Sequence, residues 1–130
     1  MQNDKTYRDI ACDDYETAII LMNNGRLNPC ARYFQQYVEK TMKQIIVDKG
    51  DPENQSDMKL LGTHNLVSLA KRVEELEGIR YTNDDYRYFR DLRGLYFTTS
   101  YPGDSYDEID TETAEDIAKW CLRFRELHEK

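Results

Sequence analysis

The sequence lacks several features, and each absence narrows the choice of fold. It has no long apolar run: the longest, Ala18 to Met22, falls far short of the roughly 20 residues that cross a bilayer. Sustained period-two alternation and Gly-rich hairpins are missing, which argues against a β-sheet. The three cysteines, Cys12, Cys30 and Cys121, are an odd number without CxxC spacing. Free buried thiols in a reducing compartment are therefore expected, rather than a disulfide framework. No internal repeat, low-complexity tract or domain linker stands out. Nothing resembles a signal peptide, since Met1 to Lys5 leads straight into polar helix. Basic residues are outnumbered, 18 Lys and Arg against 25 Asp and Glu, for a net charge of −7. Duplex DNA binding draws on phosphate neutralisation, so that balance speaks against it. At 130 residues the expectation is one soluble, cytosolic domain over 1–130, without membrane contact.

What is present is helical period. Tyr7, Ala11, Asp14/Tyr15, Ala18 and Leu21/Met22 recur at three- and four-residue steps until Asn23-Asn24-Gly25. Asn28-Pro29 predicts the start of a second helix, with Asn as N-cap and Pro at the first helical position. Its apolar face is Ala31, Phe34, Tyr37/Val38, Thr41/Met42 and Ile45, and Gly50-Asp51-Pro52 ends it. Residues 50–62 read as a connection with room for a short helical turn. A third helix starts near Thr63-His64, carries Leu66, Leu69/Ala70, Val73 and Leu76, and closes at Gly78. Thr82 to Asp85 caps a fourth, with Phe89, Leu92 and Tyr96 on its face. Thr98 to Asp104 reads as a loop, and Thr111 caps a last helix facing inward through Ala114, Ile117/Ala118, Cys121 and Phe124/Arg125. The predicted class is all-α, an up-down antiparallel bundle of four to five helices.

The second helix also carries a polar group, Gln35, Gln36, Glu39, Lys40 and Lys43. Gln36, Lys40 and Lys43 fall on one helical strip. Amides and ammoniums so arranged can hold an anion or a nucleotide. They can also form a solvated face, with Glu39–Lys43 as an ordinary i,i+4 pair. His64 can cap the third helix, bond across helices, or enter a ligand pocket as acid or base near neutral pH. With no Cys or second His nearby, no metal site is expected there. Arg87, Arg90 and Arg93 follow one another at three-residue steps beside Tyr86, Tyr88 and Tyr96. Such a stripe can stack on bases and hold phosphates, or form an exposed or dimer-facing surface of salt bridges. From Asp104 to Asp116 there are seven acids and no Lys or Arg, which would repel phosphate. Tyr101 and Tyr106 could anchor a basic partner on that segment.

The run Ala-x-Tyr-Phe-Gln-Gln-x-Val-Glu-Lys-x-x-Lys from Ala31 to Lys43 resembles the second-helix signature of the HEPN family. Asp14, Ala18 and Leu21 before Gly25 fit that family's first helix, and Gly62-Thr63-His64-Asn65-Leu66 resembles its His-x-Leu-x-x-Leu element. Leu95 to Pro102 resembles the stretch that ends in Arg-Tyr-Pro in many members. The resemblance implies a bundle of four or five helices, often a homodimer. It also implies one of several activities: metal-independent ribonuclease, frequently a toxin; partner of a minimal nucleotidyltransferase; or nucleotide binder.

The departures from that pattern bear on activity. Ribonuclease members carry Arg, a polar residue, then His four to six positions after the Arg. Arg93 stands at the expected place with no His after it, and Ser100 replaces the Arg of Arg-Tyr-Pro, leaving Tyr101-Pro102. Arg123 to His128 has a formal match, but about half a match is expected by chance. Phe124 stands where a polar residue belongs, and five helical steps set the two side chains about 140° apart. No catalytic residue is therefore assigned, and no cofactor or metal is expected. The expected ligand-binding residues are Gln36, Lys40, Lys43, His64 and Tyr101. The expected partners are a second copy of the chain, a minimal nucleotidyltransferase as in toxin–antitoxin modules, and a nucleotide or RNA. A ribonuclease toxin and a plain interaction module stand as alternatives.

Overall fold

The computed structural model describes residues 5–100 and 109–129, with side chains given for 5–93 and 109–129. Among the described residues there are six helices and no strands. They are α1 (Tyr7–Asn23), α2 (Leu27–Lys49), α3 (Gln55–Leu60), α4 (Leu66–Glu77), α5 (Asn83–Ser100) and α6 (Thr111–His128). The class is all-α, as expected. The short α3 lies in the connection where a helical turn was foreseen. None of these helices is long and apolar enough to cross a membrane.

Local chemistry sets most of the boundaries. Thr6 and Asp9 form a reciprocal capping box at the start of α1. Thr82 and Asp85 do the same for α5: Thr82 N donates to Asp85 Oδ2 at 2.8 Å and Asp85 N to Thr82 Oγ1 at 3.0 Å. Gly78 closes α4 at φ +67°, in the left-handed region that favours glycine. Three boundaries differ from the sequence reading. Asn28 is not an N-cap; α2 begins one residue before it, and its Oδ1 accepts from the Ile109 backbone N at 2.9 Å. The side chain thus ties α2 to the chain entering α6. Asp110, rather than Thr111, caps α6 and accepts from Thr113 N. Thr98 to Ser100 continue α5 rather than starting a loop; 101–104 lie outside the described residues.

α2 is the element the others share: it touches α1, α4, α5 and α6. Its Phe34, Tyr37, Val38 and Met42 have no exposed surface. Each such side chain contributes about 1.5–3 kcal/mol by leaving water. Leu66, Leu69, Ala70 and Val73 of α4, and Phe89 and Leu92 of α5, meet them in one cluster. Trp120 of α6, which the sequence stripe passed over, is also buried there. Its ring stacks on Tyr88 at 5.0 Å, and its Nε1 donates to Asp85 Oδ1 at 2.8 Å. Arg125 is not an inner residue; it is exposed and lies 4.8 Å over the Tyr15 ring. Cys30 and Cys121 are buried free thiols as expected, whereas Cys12 is exposed. Burial pushes the Cys30 thiol up to about 11.

A polar clasp joins α2, α3 and α4. Buried Asp57 takes Arg72 in a two-pronged pair, Nε to Oδ1 at 2.7 Å and Nη2 to Oδ2 at 3.0 Å. Its Oδ2 also accepts from Asp51 N at 3.0 Å. Gly50 fits because it has no side chain: a Cβ there would lie 2.5 Å from Ile46 O and 2.8 Å from Asp57 Oδ2. Asp57→Ala therefore removes a charged hydrogen-bonded pair and should lower the unfolding free energy by about 1.5–3 kcal/mol. Gly50→Ala should also destabilise, by forcing the same contact apart. Urea denaturation measures both, and wild-type midpoints would contradict the clasp.

Candidate functional site

The side of α2 that turns toward the α3–α4 connection places Gln35, Glu39 and Lys43 at i,i+4 steps. All three are buried. Glu39 is the centre. Its Oε2 accepts from Lys43 Nζ at 3.2 Å and lies 3.5 Å from Lys40 Nζ. Its Oε1 accepts from Gln35 Nε2 at 3.1 Å and lies 2.9 Å from His64 Nδ1. The chain of bonds runs on: Lys40 Nζ donates to Gln36 Oε1 at 2.8 Å, and Gln36 Nε2 to Gln35 Oε1 at 2.8 Å.

His64 reaches this group because its loop is fixed on both sides. Thr63 Oγ1 accepts from Asn65 N at 3.1 Å. Asn65 Oδ1 in turn caps α4 by accepting from Val67 N and Ser68 N. His64 itself bonds across helices rather than capping. An ionised Glu39 requires the proton on Nδ1, which sets the tautomer of the neutral ring. The cluster is graded from core to solvent. The Glu39 and Lys43 side chains are 1% and 5% exposed, Lys40 17% and His64 46%.

Burial pushes the Glu39 carboxyl up and is the largest single influence on it. The His64 hydrogen bond and the charges of Lys43, Lys40 and His64 together exceed it, so the group is held below the ordinary glutamate range. Asp14 on α1 is the next acid. Burial raises it, Lys40 opposes, and Asp13 and Glu39 add to the rise.

Of the five residues singled out from sequence, Lys40, Lys43 and His64 meet Glu39 directly, and Gln36 joins them through Lys40 and Gln35. Tyr101 lies outside the described residues. The solvated-face reading of Glu39–Lys43 is corrected: the pair is inside the bundle. The sequence reading left Gln35 and Glu39 out of the candidate site. The signal was available in the doublets Phe34-Gln35, Val38-Glu39 and Met42-Lys43, where each polar residue follows a core residue on the face that meets α4 and α5.

The arginine stripe is divided. Arg87 Nη2 bonds Asp84 Oδ1 at 2.7 Å, with its guanidinium 4.6 Å over Tyr88. Arg90 points to a separate groove, described below. Arg123 and His128 have different neighbours. Exposed Arg123 lies 4.0 Å from Asp84, whereas the His128 ring packs on Phe124 at 4.6 Å and its Nε2 meets Tyr81 Oη at 2.7 Å. Burial lowers the His128 pKa; Glu77 and Asp85 oppose it. The unfolded chain then binds a proton more readily than the folded one. Stability is fullest above about pH 6.5 and falls as pH drops through the lower folded value. His128→Gln should flatten the unfolding free energy between pH 7 and 5, measured by urea denaturation at each pH. An unchanged slope would contradict this burial.

Removing the central carboxylate strands a buried ammonium. Glu39→Ala should cost about 3–5 kcal/mol. The double variant Glu39→Met/Lys43→Met should recover most of that, because it removes both charges and keeps volume. A single variant as stable as wild type would refute the buried-pair account.

Comparison with known proteins adds one finding. A family model described as the HEPN domain matches residues 5–130. No curated protein and no solved structure matches the chain. A match over nearly the whole chain, on a helical bundle whose second helix carries this polar group, places the protein: it belongs to the HEPN domain family.

Proposed function

We propose that this HEPN protein is a non-catalytic homodimer that binds a nucleotide, or a minimal nucleotidyltransferase partner, at the Gln36–Lys40–Lys43–His64 group. A toxin–antitoxin type module is the setting this reading favours. One observation carries it. Two lysines and a histidine are gathered on the buried carboxylate of Glu39, with Asp14 as the next acid near Lys40. Lys40 and His64 stand at the open end of that gradient. A phosphate arriving there meets an ammonium and an imidazole whose positions are already fixed, which lowers the ordering cost of binding. Glu39 does not contact the ligand in this reading. It is the positioning residue that keeps the lysines together.

The non-catalytic part of this reading rests on Arg123 and His128, the formal match to the ribonuclease pattern. Metal-independent RNA hydrolysis needs a general base or acid within reach of the 2′-hydroxyl. His128 has its Nε2 engaged by Tyr81, and Arg123 turns to Asp84. Calorimetry with ATP, GTP, UTP and short RNAs tests the ligand half of the reading. Binding to at least one of them is expected, weakened about tenfold or more by Lys40→Met or His64→Ala. RNA should stay intact on incubation. No binding to the panel would reject the nucleotide. Growth arrest on expression, rescued by His128→Ala, would instead establish a ribonuclease.

A further inference from the structure

The fold has a second cationic feature, away from the Glu39 cluster, that the sequence only hinted at through Arg90. A groove of about 600 Å³ runs between α4 and the start of α5. Lys71 of α4, Arg80 of the α4–α5 connection and Arg90 of α5 line it, and all three are exposed. None of these three takes part in an ion pair among the described residues, whereas Arg72, Arg87, Arg123 and Arg125 each lie against a carboxylate. The one acid lining the groove, Glu74, is turned inward to other work. Its Oε1 accepts from Tyr86 Oη at 2.8 Å and its Oε2 from the Tyr81 backbone N at 2.7 Å. Glu74 therefore supports the groove wall without pairing its cations.

That wall is aromatic. Tyr86 is partly exposed, its hydroxyl is tied to Glu74, and its ring plane lies nearly perpendicular to those of Phe89 at 5.5 Å and Tyr81 at 6.2 Å. A ring held at its hydroxyl and by two aromatic neighbours is preorganised, and its exposed part is available for stacking. Asn83, at the first turn of α5, adds an amide that can both donate and accept. Three unpaired cations, a planar wall and one amide make a combination suited to a phosphate joined to a base. The volume admits more than an inorganic phosphate and falls within the range of small-molecule sites.

We propose that the α4–α5 groove is a separate binding site for a nucleoside phosphate, either free or at the end of a single-stranded RNA. Arg80, Arg90 and Lys71 hold the phosphate, Tyr86 stacks on the base, and Asn83 reads its edge. The net charge of −7 limits long-range attraction, so this site acts at close range and with strong salt dependence.

The test uses the full chain, with calorimetry for ATP and UMP and fluorescence anisotropy for a 5′-phosphorylated hexauridylate and its 5′-hydroxyl counterpart. Arg80→Glu/Arg90→Glu should weaken a bound ligand about tenfold or more, with helical content unchanged by circular dichroism. Tyr86→Leu should weaken it as well. Loss confined to the RNA assigns the source to RNA, and loss confined to the mononucleotides assigns a free nucleotide; either supports the groove. Groove variants that bind like wild type overturn it, as does wild-type protein that binds none of the four. Binding lost in Lys40→Met and His64→Ala but kept in the groove variants rejects the groove and leaves the α2 site standing. The opposite pattern rejects the α2 site alone, and loss in both sets means two sites.

Discussion

The carboxylate of Glu39 lies inside the bundle with two lysine ammoniums, a glutamine amide and a histidine ring around it. A charge so placed is tolerable only when it is surrounded in this way, because desolvation costs several kcal/mol per ion. The arrangement has consequences in both directions along the chain. Inward, it admits a polar row into the middle of α2, the helix that carries the largest share of the core. Outward, it draws Lys40 and His64 to one spot on the surface. His64 reaches Glu39 only if Thr63 and Asn65 fix the loop and α4 starts at Leu66. Core, loop and candidate site therefore meet at this one contact.

The helices were legible in sequence because apolar spacing and capping residues agree there. Gly78, Thr82 with Asp85, and the Leu66–Leu69–Val73 stripe each carry a local signal for the backbone they adopt. At Asn28, Trp120 and Arg125, where the reading failed, a distant partner decided. Asn28 has the chemistry of an N-cap, but its side chain is claimed by the Ile109 backbone, far along the chain. Trp120 is off the stripe of its own helix, yet Tyr88 and Asp85 of α5 enclose it. Arg125 is on the stripe and nonetheless faces solvent over Tyr15.

The candidate site was half legible. The residue types and their helical strip were visible, and so was the link to His64 through the family pattern. Which of them was the hub was not. Spacing alone makes Glu39–Lys43 an ordinary surface pair; only the packing of α4 and α5 on that face makes it a buried one. The groove shows the same limit. Arg87, Arg90 and Arg93 look equivalent in a three-residue repeat, but Asp84 takes Arg87 and the α4–α5 connection brings Arg80 to Arg90 instead. Periodicity orders residues on one helix. It does not say which neighbouring element meets them.

The central claim is that Glu39 remains a charge inside the bundle, held by the cations around it. Carbon-13 NMR of the Glu39 side-chain carboxyl across an acid titration measures this directly. A midpoint below the 4.5 of a free glutamate is the predicted result, with the shift reduced in His64→Ala. A midpoint above that value would mean that burial prevails and the carboxyl is readily neutralised. The surrounding lysines would then lack the anion on which this account depends.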